Sequence, residues 1–152
     1  MIYVIAALMG TEIAAYFDLD GTILDASSEK TLTAHLAIRR PWRIPIGTTM
    51  WSLGFIGNLI RGRSLYDAAR NRGHFALASW DVLEQYSRKL AKEELIQKVP
   101  QIALDRLQWH REQGHRLVLV TATIAPMAEA MARELGMDEV YGCGPNIRPV
   151  SY

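Results

Sequence analysis

The sequence predicts an α/β protein: a parallel sheet flanked by helices, with a helical block inserted after the first strand of that sheet. Two short apolar runs, 13–17 and 116–121, lack alternation and stop abruptly at polar residues, as strands buried on both faces do. The stretches between and after them carry helical spacing and caps, so strands alternate with helices. The chain has 152 residues, 49% of them hydrophobic, which suits one compact core plus a small accessory lobe.

The first ten residues, MIYVIAALMG, are apolar and carry no Lys or Arg. They are too short to span a bilayer, and no cleavage site follows them. We read 1–11 as an N-terminal extension with its natural start at Met9, the alternative being an extra strand. Ile13–Phe17 is the first strand, closed by the turn signal Asp20-Gly21.

From Ser27 to about Arg40 the pattern is helical. Ser27 or Ser28 can cap it, Glu29 falls in its first turn, and Pro41 ends it. Residues 44–60, IPIGTTMWSLGFIGNLI, are the most apolar window. They are expected to form a helix, broken by Gly47, Gly54 and Gly57, packed on the accessory lobe or on a partner. A membrane-surface helix followed by Arg61 and Arg63 is the alternative. "SLYDAARNRG" reads as a helix capped by Gly73. "SWDVLEQYSRKLAKEELIQK" reads as another, capped by Ser79, with Trp80, Leu83, Tyr86 and Leu90 as its packing face.

Pro100 opens a helix that Gly114 closes. Residues 116–121 are the second strand. "APMAEAMARELG" is a helix with Pro126 in its first turn and Gly136 at its end, and 138–142 is a third strand. GPNIRPVSY is loop-like. The helical block 26–98 is too long for a simple crossover and is expected to form its own lobe, leaving 12–25 and 99–152 as the α/β core.

The composition excludes several classes. A net charge of +1, with no basic stripe interleaved with aromatics, gives no reason to expect nucleic acid. Cys143 is the single cysteine, which excludes an intrachain disulfide framework and makes a reducing, cytoplasmic setting the default. It reads as a small hydrophobe in a Gly-rich bend. His35, His74, His110 and His115 share no ligand-like spacing, and the last two read as solvent-facing or capping groups.

Ligands of such sheets bind beyond the carboxyl ends of the strands. Asp18 and Thr121 stand at two such ends and are expected to share a crevice. Asp18 and Asp20, two apart, can address one site: one carboxylate attacks while the other carries a proton. An attacking Asp would form an acyl-phosphate, and a divalent cation with oxygen ligands would hold it against a phosphate. The structural alternative is an Asx-turn that merely ends a strand.

The string FDLDGTIL resembles the first motif of the haloacid dehalogenase-like superfamily, an apolar strand followed by Asp-x-Asp-Gly-Thr. LVLVTAT resembles its second motif, and the helical block resembles the cap that one branch inserts after the first motif. GHRLVLVTATIAPMAEAMARELGMDEVYG is similar to the phosphoserine phosphatase-like branch, and the resemblance covers roughly 12–143. It implies a Rossmann-like core and a magnesium-dependent phosphomonoester hydrolase; the apolar window 44–60 allows a lipid-linked substrate, and Glu29 a small amino-bearing molecule. Asp18 would be nucleophile and magnesium ligand. Asp20 would be general acid/base, with its carbonyl on the metal. Thr121 would hydrogen-bond the phosphoryl group, with backbone donors at Leu19, Gly21 and Ala122 and at the start of the next helix.

Two parts of the family pattern are missing. The resemblance calls for a Lys after the second motif and an acidic loop that completes the metal site. No Lys follows Lys98, and only Arg133 and Arg148 are basic beyond Thr121. Asp138 and Glu139 open a strand where the acidic loop should close one, and read as ordinary loop charge. The expectation is a C-terminally truncated phosphatase, weakly active or inactive. A non-catalytic phosphate- or partner-binding remnant and a site completed by a second chain are the alternatives. A receiver-type phosphoacceptor module fits less well, because its acceptor Asp lies mid-chain. A dinucleotide-binding fold lacks its Gly-x-Gly-x-x-Gly turn here. Glu29 reads as favourable charge at a helix start; as a reader of a substrate amine it stands too far from Asp18.

Overall fold

The computed structural model describes residues 3–6, 13–69, 71–75 and 78–144. The chain divides into two compact units, Met1–Lys30 with Trp80–Tyr152, and Thr31–Ser79.

The first unit is built on a four-stranded sheet in the order β1 (Tyr3–Ala6), β2 (Ile13–Phe17), β3 (Arg116–Ile124), β4 (Glu139–Cys143). β2, β3 and β4 are parallel, as expected, with Phe17 beside Leu119 and Val118 beside Glu139. β1 pairs antiparallel with β2, Tyr3 opposite Tyr16, so 3–6 form an extra strand of the sheet instead of an unpaired extension. Residues 7–12, including Met9, lie outside the described residues.

In β3, Leu117, Val118 and Leu119 are consecutively buried, so both of its faces are covered. β2 departs from that expectation: Ala15 and Phe17 are buried, while Ala14 and Tyr16 on the other face are only half-buried. α6 (Ala125–Leu135) packs on β3 and β4, and α5 (Gln101–Glu112) packs on β3. α6 can lie close because its inner face is small or flexible: Ala128, Ala132, Met127 and Met131 are fully buried. Pro126 stands in its first turn, and Gly136 caps it in the left-handed conformation.

α4 (Trp80–Leu90) packs against α6, and a π turn at Ala91–Leu95 and a tight turn at Ile96–Lys98 follow it. The predicted continuous helix to Lys98 therefore changes its winding at Leu90. Leu83 and Leu90 are buried as expected, but Trp80 is exposed, and Ser87 takes the buried position on that face. Residues 80–98 belong with the sheet unit by their packing, so the helical unit is narrower than 26–98.

The second unit holds most of α1 (Ser28–Arg39), then α2 (Arg43–Ile60) and α3 (Leu65–Ala69). α2 is one uninterrupted helix, so its glycines do not break it. Trp51 stacks on Phe55 and sends its indole N–H to the Ala69 carbonyl. Asn71 sends its amide to the Trp51 and Ala68 carbonyls and accepts the Gly73 N–H. Gly73 is not the helix cap expected. A Cβ there would stand 2.6 Å from the main chain of Met50 and Trp51, so only glycine lets this segment seat on α2. Among the described residues, no helix is long and apolar enough to cross a membrane.

Candidate active site

The turn after β2 is closed by main-chain bonds. The Leu19 carbonyl accepts the N–H groups of Thr22, Ile23 and Leu24 at 3.3, 3.1 and 2.9 Å. Gly21 has φ +77 in this turn, a backbone conformation that favours glycine. Leu19, Ile23 and Leu24 are buried beneath it. Neither carboxylate makes the bond of an Asx-turn, which reaches two residues on. Asp18 Oδ1 accepts the N–H of its neighbour Leu19 at 2.8 Å, which orients the carboxylate of this exposed residue. Asp20 Oδ1 accepts the N–H of Ser28 at 3.1 Å, an anionic cap on α1 supplied from outside the helix.

Because Phe17 pairs with Leu119 in parallel register, Asp18 and Thr121 lie toward the same end of the sheet. Thr121 is buried, and β3 continues past it to Ile124 with an irregularity after Val120. Thr121 and Thr123 therefore share the inward face. Thr121 Oγ1 donates to Thr123 Oγ1 at 3.2 Å and accepts the Thr123 N–H at 3.2 Å. Thr123 Oγ1 also lies 3.3 Å from Ser28 Oγ and donates to Asp20 Oδ2 at 3.5 Å, the outer limit of a hydrogen bond. Donation from Thr121 onto Thr123 polarises its hydroxyl toward the carboxylate. Thr123 and Ser28 went unread as site residues in the sequence. The signal was the second Thr in VTAT, two residues after Thr121 and thus on the same strand face.

Glu29 lies in the first turn of α1 and accepts the Ile124 N–H, at the start of α6, at 2.9 Å. It thus serves as more than favourable charge on its own helix. The N–H groups expected as phosphate donors are largely committed: Leu19 to Asp18, Gly21 to the Leu24 carbonyl, and Ile124 to Glu29. Ala122 is exposed between the two threonines.

Asp138 and Glu139 lie at the opposite end of the sheet. Asp138 accepts the Leu117 N–H at 2.7 Å and Glu139 pairs with Arg116, so both clamp β4 to the beginning of β3. They are structural groups, not loop charge. Arg133 is in the last turn of α6, about 12 Å along the helix from its start, and Arg148 lies outside the described residues. His110 is buried instead of solvent-facing. It sits edge-on to Phe17 with Nδ1 2.9 Å from His115 Nδ1, and burial first, then His115 and Arg106, hold its pKa below the ordinary value. Cys143 is exposed at the end of β4. A groove of about 520 Å³ runs beside the turn, lined by Phe17, Thr22, Ile23, Ile102, Arg106 and Trp109 among others, with neither Asp18 nor Asp20 in its wall.

The exposed Asp18 carboxylate and the Asp20 carbonyl are hard oxygen donors, which fit magnesium in kind. In number they are few: among the described residues no group of three His, Cys, Asp or Glu side chains could hold a metal ion.

The sequence matches the family model for haloacid dehalogenase-like hydrolase over residues 15–148. The chain belongs to the haloacid dehalogenase-like hydrolase family. Asp18, Asp20 and Thr121 lie within the matched residues. Two solved structures have a similar fold. One is a protein with unknown function from Bordetella pertussis Tohama I, 24% identical with a TM-score of 0.65; the match covers 90% of this chain and 62% of that one. The other is a phosphoserine phosphohydrolase-like protein from Francisella tularensis subsp. tularensis SCHU S4, 15% identical with a TM-score of 0.52, covering 84% of this chain and 56% of that one. The chain therefore spans about six tenths of the length of these relatives. The curated proteins include no match.

Proposed function

We propose that this chain carries the nucleophile and the general acid/base of a magnesium-dependent phosphomonoester hydrolase of the phosphoserine phosphatase-like branch, working in a reducing, cytoplasmic setting on a small-molecule or lipid-linked phosphate. The observation that carries this reading is the different setting of the two carboxylates. Asp18 is exposed and oriented by the Leu19 N–H, whereas Asp20 is half-buried and held by Ser28 and Thr123.

Asp18 Oδ2 attacks phosphorus as the ester P–O bond breaks, and Asp20 gives its proton to the leaving oxygen. Water then attacks the aspartyl-phosphate, its proton passing to Asp20, which frees phosphate and regenerates Asp18. Oδ2 of Asp20, held only by the long Thr123 contact, is the oxygen that takes and gives the proton. When it is protonated, Thr123 can turn its hydroxyl to Ser28 or Thr121. Magnesium on the Asp18 carboxylate and the Asp20 carbonyl would supply charge neutralisation for the phosphate.

Turnover by this chain alone is slow in this reading. A phosphate dianion near Asp18, Asp20 and Glu29 needs compensating positive charge, and Arg133 is remote. One uncompensated like-charge pair at 4 Å costs roughly 4 kcal/mol at an effective dielectric of 20. That alone corresponds to roughly a thousandfold in rate. The test is hydrolysis of an aryl phosphate with magnesium, comparing the wild type with Asp18→Asn. Slow hydrolysis lost in Asp18→Asn supports the reading, and a rate that Asp18→Asn leaves unchanged overturns it. Phosphate binding without any turnover favours the second reading, a non-catalytic phosphate-binding remnant.

A further inference from the structure

We propose that the outer face of α2 binds the surface of an anionic phospholipid bilayer, with the helix lying in the plane of the interface. The helix buries one side: Gly47 and Arg43 are enclosed, and Gly54 and Trp51 meet Asn71. Its other side carries Met50, Leu53, Ile56 and Ile60, with Trp42 just before its first turn, all exposed. At 100° per residue these positions fall within about 120° of arc, so they form one stripe along the helix. A stripe of large apolar side chains left in water on a folded unit marks an interaction surface.

Charge identifies the occupant. From residue 30 to residue 66 the chain carries six basic side chains, Lys30, Arg39, Arg40, Arg43, Arg61 and Arg63, and no acidic one. The whole chain carries only +1, so the remainder is net acidic. Arg39 and Arg40 precede the stripe and Arg61 and Arg63 follow it, with Trp42 at the first end. Arginines can extend their heads to lipid phosphates at both ends while the apolar side chains and the indole enter the headgroup boundary. A second copy of the chain fits poorly, because isologous pairing through this face would set like charge against like charge. The helix cannot cross the bilayer, so contact is with its surface.

The test uses the full chain with vesicles, read by co-sedimentation, and depends on no enzymatic activity. The expected result is binding to vesicles of mixed phosphatidylcholine and phosphatidylglycerol, weakened by high salt, and little binding to phosphatidylcholine alone. Leu53→Glu should abolish it, and the pair Arg61→Ser with Arg63→Ser should weaken it by roughly tenfold or more. Ile102→Glu, an equally drastic change at an exposed apolar residue of α5, should leave it unchanged. Thermal melting checks the fold of each variant. Ile60→Glu, 81% exposed at the last residue of α2, replaces Leu53→Glu should that variant unfold. The proposal is overturned by absence of sedimentation with anionic vesicles, or by variants on α2 that bind like the wild type. It is equally overturned by a concentration-dependent dimer that Leu53→Glu dissolves without any vesicle binding.

Discussion

Glu29 accepts the Ile124 N–H at 2.9 Å, while the residue before it, Ser28, gives its own N–H to Asp20 at 3.1 Å. Two carboxylates thus cap two helices in relay: Asp20 holds the start of α1, and Glu29 from α1 holds the start of α6. The loop after β2, the entry to α1 and the end of β3 are tied together by these bonds, 95 residues apart in sequence for the second.

Glu29→Ala removes the acceptor from a main-chain donor at a helix start. The expected cost is about 1–2 kcal/mol in urea denaturation, and Glu29→Gln, whose amide oxygen can still accept, should cost less than half of that. Equal losses in the two variants would show that the bond does not hold α6.

Asp20 combines a structural bond with the proton transfer proposed for it. Asp20→Asn keeps an oxygen for the Ser28 N–H and should retain most of the stability while losing hydrolysis. Asp20→Ala should lose both, with about 1 kcal/mol of stability gone. Thermal melts run beside the aryl phosphate assay separate the two effects.

His110 makes stability depend on pH. Its folded pKa lies below its ordinary value of 6.5, chiefly through burial, with His115 and Arg106 adding to it. The unfolded chain therefore binds this proton more readily. Stability is full above pH 6.5 and falls as the pH drops below it toward the folded pKa. Denaturation midpoints measured between pH 5 and 8 should show this slope, and His110→Phe should flatten it. A histidine resonance of the folded protein titrating above 6.5 and assigned to His110 would refute the assignment.

Gly73→Ala should destabilise the helical unit by about 1–3 kcal/mol, because its Cβ would meet the main chain of Met50 and Trp51, which cannot yield as a side chain can. Gly57→Ala is the control: a Cβ there approaches only the flexible Arg61 side chain, at 3.6 Å, and added helix propensity should leave stability equal or higher. Hydrogen exchange across α2 reads both.

Ile13–Phe17 and the run from Arg116 were legible as strands because short apolar runs bounded by turn residues are a local signal, although only the second proved buried on both faces. Pro100 with Gly114, and Pro126 with Gly136, marked α5 and α6 because the backbone limits of those residues act within one turn. Asp18 and Asp20 were legible as a site because their spacing and the following Gly21 are local as well. Tertiary structure alone decided what the carboxylates touch. The bond from Thr123 to Asp20 spans 103 residues, so no local pattern at either end announces the pairing. The same holds for Gly73, whose role is set by the backbone of Met50, and for His110, whose burial is set by Phe17. It holds too for Asp138 and Glu139, whose charges turn to Leu117 and Arg116 at the far end of the sheet. Local residue types determine which elements form; distances across the chain exist only once those elements pack, and the hydrogen-bond partners follow from them.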